Sequence, residues 1–255
     1  MRDSSQIAYA QARVQARFSN RPTEAFWREL EAGRELLHLI EFVRPSALGA
    51  AVGSVSATVD GHTIEARLRD HWSAACAEVA AWYPPAWRPA MRWLAWLPWI
   101  ACLEWLAHDR PVPDWMQDAA LLDELSGEST EARADRLLDG PLAALAGAFG
   151  AGRNLAVAWH AQWRDQWPAG NPRLLRGLNQ LDAALGDFLP GSADLDAAPF
   201  DAAVDRAEAA AKRVFRRFAG TPVAGLSLLV LLALDHARLR AALVGACWFG
   251  LARAA

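Results

Sequence analysis

The uncharged stretch 222–234 constrains the fold of this 255-residue chain more than any other part of the sequence. Its thirteen residues carry no charge, and four polar or charged residues follow within six positions: Asp235, His236, Arg238 and Arg240. Because a helix rises about 1.5 Å per residue, thirteen residues span roughly 20 Å, less than the roughly 30 Å hydrocarbon core of a bilayer. The pattern therefore predicts a core helix over 221–250 with a charged second half, and no direct membrane span.

Apolar residues recur at helical spacing along most of the chain, and the alternation typical of strands is almost absent. The clearest amphipathic stripe, over 64–83, follows intervals of three and four residues: Ile64, Leu68, Trp72, Ala75, Val79 and Trp82. We therefore predict an all-α fold, a multi-helix bundle of short and medium helices that forms a single domain over 1–255. Two pseudo-halves, 1–110 and 111–255, each run from charged helices into a Trp-rich one.

Composition excludes some functions and favours one compartment. The formal net charge of −3 gives no electrostatic reason to bind nucleic acid. Cys76, Cys102 and Cys247 are far apart, which suits reduced thiols in the cytoplasm better than a disulfide or metal framework. The first ten residues contain no long apolar stretch, so no signal peptide is predicted. Common nucleotide-binding, hydrolase and metalloprotease motifs are absent, so we predict no catalytic residue, no cofactor and no metal.

The charged half of the last predicted helix contains a candidate ion pair. Asp235 and Arg238 are three residues apart, which brings them to neighbouring positions on a helix, whereas Arg240 projects elsewhere. Asp235 could be a catalytic carboxylate, but a partly buried ion pair that closes a bundle is the favoured interpretation. Such a pair fixes the register of a helix more than it adds stability. We therefore assign Asp235, Arg238 and Arg240 to a structural ion pair.

The dipeptide His108-Asp109, with His71 upstream, supports an alternative hypothesis. Metal phosphohydrolases of the HD type use a His, a His-Asp pair and a later Asp to hold a metal ion that activates water. In this sequence the pair stands where a helix runs into Arg110-Pro111. The competing interpretation is a helix C-terminus, where His108 meets the negative end of the helix dipole and Asp109 favours the turn. We prefer this second interpretation.

Tryptophan and arginine are concentrated between residues 87 and 99, and this region is a candidate partner-binding surface. Interfaces are enriched in Trp and Arg, and the spacing here makes it difficult to bury every ring at once. The candidate interface residues are Trp87, Arg88, Arg92, Trp93, Trp96 and Trp99. The competing interpretation is that these rings belong to the core.

Three segments together resemble one family, the connectors between the central stalk and the membrane ring of V-type and archaeal-type ATPases. Residues 9–17 are similar to the Tyr/Ala/Arg helix that opens the family, and residues 64–69 to the start of its following helix. Residues 234–240 resemble the helix that closes each bundle, with Asp235 at the family's Glu position and Arg240 at its Arg position. The chain is shorter than typical members, which consist of three similar bundles, and Arg238 stands where the family has Asn.

The resemblance implies a non-catalytic rotor subunit of a bacterial V-type ATPase, not an enzyme in its own right. Members of this family join the central stalk to the membrane rotor ring and transmit torque during ion or proton transport. The implied fold is a set of quasi-repeated helical lobes around a central depression. The implied partners are the central-stalk proteins and the rotor ring, and the implied location is cytoplasmic, peripheral to the inner membrane through those partners. The alternatives are a helical adaptor for an unrelated partner and, third, an HD-type metal phosphohydrolase.

Overall fold

The computed structural model describes residues 2–53, 55–56, 58–117, 120–123, 125, 129–186 and 200–254. Every regular element in these ranges is helical, so the predicted all-α multi-helix fold is confirmed. The α-helices are α1 (Arg2–Ser19), α2 (Glu24–Ala32), α3 (Leu36–Val43), α4 (Gly49–Val52), α5 (Gly61–Trp82), α6 (Arg88–Trp93), α7 (Ile100–Ala107), α8 (Asp114–Gln117), α9 (Ala120–Asp123), α10 (Thr130–Leu138), α11 (Ala143–Gly150), α12 (Leu155–Asp165), α13 (Pro172–Gly186), α14 (Phe200–Arg217) and α15 (Pro222–Ala254). Short 3-10 helices occupy Pro85–Trp87 and Leu94–Trp99.

Helix boundaries follow local sequence signals. The side chains of Thr23, Asp60 and Ser129 each accept a hydrogen bond from a backbone N–H in the first turn of the helix that follows. These N-caps satisfy donors that have no partner inside the helix. Pro98 has no N–H to donate, and the chain around it forms the 3-10 helix Leu94–Trp99 between α6 and α7. The chain is therefore divided into two α-helices around Pro98.

The helix α15 is the central element of the fold. It packs against α1, α2, α3, α5, α13 and α14, and so joins the beginning of the chain to its end. One close approach is to Tyr83, the residue that follows α5, since a Cβ placed on Gly225 would lie 2.4 Å from the Tyr83 ring. Glycine at this position therefore lets the Tyr83 ring pack directly on the backbone of α15. The division into pseudo-halves stays a prediction, and α15 of the second half completes the packing of the first.

The last helix was predicted over 221–250 with a charged second half, and it extends unbroken over the 33 residues Pro222–Ala254. Over Pro222–Trp248 it is long and apolar enough to cross a membrane by length and composition alone, so the argument from a short apolar span does not hold. Within the most apolar window, 94% of the residues are buried inside the protein, as in a core helix. Burial, and not length, is what supports the predicted core helix.

Two hydrophobic clusters divide α15 between them. The larger one contains the first half of the helix up to Ala233, together with the buried rings of Trp72, Trp159 and Trp163. The second contains Leu239, Leu243 and Cys247 of the same helix, packed against residues from α2 to α5. The charged residues between Ala233 and Leu239 therefore lie at the junction of the two cores.

Candidate functional site

A buried ion-pair network joins the end of α1 to the last helix. Arg21, just beyond α1, donates from Nε and Nη2 to the two carboxylate oxygens of Asp235 on α15, both at 2.7 Å. Its Nη2 also donates to Glu208 of α14 at 2.9 Å, and Lys212 lies 2.9 Å from the same carboxylate. Only 5% of the Arg21 side chain and 1% of the Asp235 side chain are exposed. The network therefore ties three segments of the chain together inside the protein.

Burial and pairing act in opposite directions on these groups. Burial raises the pKa of Asp235 to about 6, although the bond to Arg21 favours the carboxylate. Desolvation opposes the charge of Arg21, but its bonds to Asp235 outweigh it and raise the pKa of Arg21 overall. Burial also opposes the charge of Glu208, yet Lys212 and Arg21 lower the pKa of Glu208 overall. The network is thus ionised at neutral pH and held by complementary charge.

The partner predicted for Asp235 was wrong. Its carboxylate is bound by Arg21 and not by Arg238, three residues further along α15. Arg238 instead donates from Nε to Glu31 of α2 at 3.2 Å, and its guanidinium lies 5.0 Å from the centre of the Trp27 ring. For both Asp235 and Arg238, the observed partner of opposite charge lies on another segment of the chain and not on α15. Asp235 and Arg238 are therefore structural ion-pair residues, as predicted, but with separate partners.

Arg240, the third predicted member, pairs with Glu65 near the start of α5. Glu65 also lies 3.7 Å from Arg69, one turn further along the same helix. Arg69 is largely buried, and its guanidinium stands 4.9 Å from the centre of the Trp99 ring. Two arginines therefore share one carboxylate at this place.

A cavity of about 240 Å³ opens beside this charge cluster, between α5, α15 and the segment 97–102. Its wall is mostly apolar and includes Leu68, Trp72 and Ile100, which are all buried. The charged side chains that line it are Glu65, Arg69 and Arg240, with the Cys102 thiol nearby. The cavity is therefore an apolar chamber with one charged side.

A pair of histidines, His71 and His236, adjoins the same cavity, and His236 is part of its lining. The Nδ1 atom of His236 is 2.8 Å from the carbonyl oxygen of Leu232, so it carries the proton and donates. The Nε2 atom of His236 then accepts from Nδ1 of His71, at 2.7 Å. Burial lowers the pKa of His236 to about 4, and burial together with the charge of Arg17 lowers the pKa of His71. Both imidazoles are therefore neutral at neutral pH, and both ring nitrogens of His236 are occupied.

The residues of the HD hypothesis do not come together as a metal site. His108 follows α7 at its C-terminal cap and approaches the carbonyl oxygen of Glu104 through Nδ1 at 2.7 Å. Asp109 has a positive φ of 50°, and its carboxylate lies 3.4 Å from Arg133. These are the features of a helix end followed by a turn. Among the described residues, no group of three or more His, Cys, Asp or Glu side chains is placed to hold a metal ion.

The candidate Trp/Arg surface is only partly a surface. Trp93 is buried and donates from Nε1 to the carbonyl oxygen of Trp159 at 3.1 Å, so its assignment to an interface was wrong. The indole is large enough to reach α12 across the core, which the spacing along one helix does not reveal. Trp87, Trp96 and Trp99 are half-buried against the main core.

The two charged residues of the predicted interface behave differently from each other. Arg88 donates from Nε to the carbonyl oxygen of Tyr83 at 2.9 Å and is half-buried. Arg92 is exposed on the last turn of α6. The surface that remains for a partner therefore consists of Arg92 and the exposed parts of Trp87, Arg88, Trp96 and Trp99.

Two features were missed in the sequence analysis. The first is Arg69 and the cavity it lines. The second is a groove of about 490 Å³ between α13 and α14, lined by the exposed Arg206, Arg213 and Arg217. Their intervals of seven and four residues place these arginines on one face of a helix, so the second feature could have been found from the sequence. The cavity could not, because its walls come from distant segments.

Comparisons with known proteins identify no relative. No protein-family model, no curated protein and no solved structure matches the chain. The resemblance of residues 9–17, 64–69 and 234–240 to one family therefore depends on those residues and on how they are arranged.

Proposed function

We propose that the protein is a non-catalytic connector, a rotor subunit of a bacterial V-type ATPase that joins the central stalk to the membrane rotor ring. One observation carries the proposal: the three segments that resemble the family lie in helices that pack on one another. The first lies in α1, the second begins α5 and the third lies in α15, and each of these helices contacts the other two. Segments far apart in sequence thus belong to one structural unit.

The residues at the family's acidic and basic positions both form links between helices in this unit. Asp235, at the acidic position, binds Arg21 beyond α1, and Arg240, at the basic position, pairs with Glu65 of the second segment. An ion pair with a fixed partner specifies the register of a helix better than apolar contact does. This is the role that a torque-transmitting part requires at its joints.

The stiffness that torque transmission requires is supported by the packing of α15. A helix of 33 residues is about 50 Å long by its rise per residue, and its most apolar part is 94% buried. Close-packed interiors have low compressibility, so a force applied at one end of such a helix is passed to the other. In this proposal the protein transmits rotation during ion transport and lies in the cytoplasm, attached to the inner membrane through the ring.

The proposal is tested by recovering the partners of the full-length protein. An affinity-tagged chain is expressed in the organism that encodes it, membranes are solubilised in mild detergent, and bound proteins are quantified by mass spectrometry. We expect V-type central-stalk and ring proteins in amounts comparable to the tagged chain. An unrelated cytoplasmic protein with the same tag is the control. The proposal is contradicted by a folded, abundant chain that recovers neither stalk nor ring proteins.

A second candidate function, a helical adaptor for an unrelated partner, is supported by the half-buried Trp96 and Trp99 beside the exposed Arg92. Interfaces favour this combination. The same experiment separates the two functions when it is repeated with Arg92→Glu and with the matched control Arg28→Glu, another exposed arginine on a helix. An unrelated partner that is lost in the first variant and kept in the second supports the adaptor.

A further inference from the structure

The cavity beside α15 contains a buried cation whose hydrogen-bonding capacity is not used. Only 9% of the Arg69 side chain is exposed, and its nearest carboxylate oxygen, on Glu65, is 3.7 Å away. That distance is too long for a hydrogen bond. A guanidinium has five N–H donors, and within the described part of the chain the contacts of Arg69 are the long ion pair to Glu65 and the ring of Trp99, neither of which is a hydrogen bond. None of the Arg69 nitrogens is among the fully buried polar atoms without a partner, so these donors are open to solvent at the cavity, where a bound acceptor would replace water and form charge-assisted hydrogen bonds.

The charges around the cavity do not balance. Its charged lining consists of two arginines, Arg69 and Arg240, and one carboxylate, Glu65, which leaves one positive charge in excess. His236 adds none, because both ring nitrogens are occupied and burial holds its pKa near 4. A single negative charge would therefore neutralise the site. This favours a carboxylate over a phosphate monoester, which carries nearly two charges at neutral pH.

The rest of the cavity suits a hydrocarbon group. Leu68, Trp72 and Ile100 form a buried apolar wall, while Ala101 and Arg240 are exposed at the mouth. The volume of about 240 Å³ exceeds the roughly 150 Å³ of an engineered protein cavity that accommodates benzene. The space thus accepts a body somewhat larger than a benzene ring.

We propose that this cavity binds a small apolar monocarboxylate, with its carboxylate on Arg69 and its hydrocarbon body against Leu68, Trp72 and Ile100. The planar guanidinium matches a carboxylate in a two-pronged arrangement, and charge-assisted hydrogen bonds of this kind are among the stronger ones. The site is independent of the rotor function, because it requires the isolated chain alone.

The test compares two ligands of equal length by isothermal titration calorimetry on the purified full-length protein. Octanoate supplies the carboxylate, and 1-octanol has a similar hydrocarbon body without the charge. We expect octanoate to bind at least about tenfold more tightly than octanol, since charge-assisted hydrogen bonds exceed neutral ones in strength. Octanoate is also expected to slow the alkylation of Cys102, which lines the cavity.

Two variants and a matched control identify the binding group. Arg69→Met is expected to abolish the preference for octanoate, whereas Arg67→Met, an exposed arginine two residues away on the same helix, leaves it unchanged. If Arg69 serves the ligand and not the fold, Arg69→Met keeps the Tm of the unliganded protein or raises it, because Glu65 retains Arg240 as its partner and no carboxylate is left unpaired. Ala101→Phe, at the exposed mouth, is expected to weaken both ligands without disturbing the core.

Three results would overturn the proposal. One is equal affinity for octanoate and octanol, which would make the cavity a plain apolar void. Another is octanoate binding that survives Arg69→Met. The third is the absence of octanoate binding in a folded parent protein. None of these results bears on the recovery of ATPase proteins, so the binding site and the rotor function can fail separately.

Discussion

The two halves of α15 are held in the protein by different forces. From Pro222 to Leu234 the helix is uncharged and buried, and its apolar side chains up to Ala233 belong to the larger core. From Asp235 onward the helix is tied to its neighbours by ion pairs to Arg21, Glu31 and Glu65. One continuous helix therefore combines a half held mainly by hydrophobic burial with a half in which ion pairs add directed contacts to a second, smaller core.

The difference shows how a long helix obtains both stability and a unique position. The free energy of hydrophobic burial is roughly proportional to the buried apolar area and is non-directional. By itself it therefore does not fix the translation or rotation of a helix against its neighbours. An ion pair between fixed partners opposes such movement, although its desolvation cost limits the stability that it adds. In α15 the first half is suited to stabilising the fold, and the second half is suited to setting its register. Substitutions in each half should therefore have different consequences.

The largest effect is expected from breaking the network in the second half. Arg21→Ala leaves the carboxylates of Asp235 and Glu208 facing each other without their shared cation. We expect a loss of about 4 kcal/mol in the free energy of unfolding, since removing one partner of a buried ion pair leaves an uncompensated charge. Urea unfolding followed by circular dichroism measures this loss.

A double variant serves as the control for this prediction. Arg21→Met combined with Asp235→Leu removes both members of the buried pair, and Glu208 keeps Lys212 as its partner. The double variant is expected to recover most of the lost stability, because well-packed apolar residues can replace a buried ion pair. A double variant that is no more stable than Arg21→Ala would show that the cost comes from lost packing and not from the unpaired charge.

A somewhat smaller effect is expected from the first half. Leu228 is fully buried in the larger core, and Leu228→Ala removes its apolar contacts and leaves a cavity. We expect a loss of about 3 kcal/mol, within the range measured for such truncations. Because the ion pairs remain, we expect the variant to keep the pattern of amide exchange protection in the second half of α15. If both halves lose protection equally, the contrast between them is wrong.

The pH dependence of stability offers a third comparison. The pKa of His236 is lowered from 6.5 to about 4, so the unfolded chain binds its proton more readily than the folded protein does. The contribution of neutral His236 to the free energy of unfolding is therefore complete above pH 6.5 and is lost as the pH falls toward 4. When the pH is lowered from 7 to 5, the free energy of unfolding of the parent should fall by about 2 kcal/mol more than that of His236→Gln, as measured by urea unfolding at each pH.

Asp235 must be considered in the same measurement. Its raised pKa of about 6 acts in the opposite direction, since its ionisation is penalised by burial as the pH rises from about 4 to 6. Parent and His236→Gln both contain Asp235, so its contribution cancels when the two are compared at each pH. Identical pH profiles for the two proteins would contradict a depressed pKa at His236.

The smallest effect is expected at the exposed end of the second half. Arg240 pairs with Glu65, but 59% of its side chain is exposed. Solvent screens such a pair, so Arg240→Gln should cost less than about 1 kcal/mol. The same urea titration measures this change. A loss as large as that of Arg21→Ala would mean that exposure does not decide which of these ion pairs contributes to stability.

Local patterns in the sequence predicted the helices well, and failed where distant parts of the chain meet. The stripe from Ile64 to Trp82 predicted α5 because periodicity depends on neighbours within a few residues. The partner of Asp235 could not be predicted in this way, because Arg21 is 214 residues away in sequence. The burial of Trp93 was missed for the same reason, since its hydrogen-bond acceptor is on α12, 66 residues later.

The candidate sites show the same limit. The interpretation of His108-Asp109 as a helix end needed only local sequence, and the structure confirms it. The cavity next to Arg69 has walls from three separate segments, and no single segment indicates an empty space or an excess of charge. The ion-pair role of Arg240 was predicted, but its sharing of Glu65 with Arg69 requires the packing of α5 against α15.

The place of α15 in the chain has a consequence for biosynthesis. Trp27 and Ile40 share a core with Leu239 and Leu243, and Arg238 binds a glutamate that left the ribosome 207 residues earlier. At about 5–20 residues per second, the first helices wait roughly 10 to 40 s before their packing partner is made. During that interval the part of their apolar faces that packs against α15 is uncovered, and this part is the kind of surface that chaperones shield.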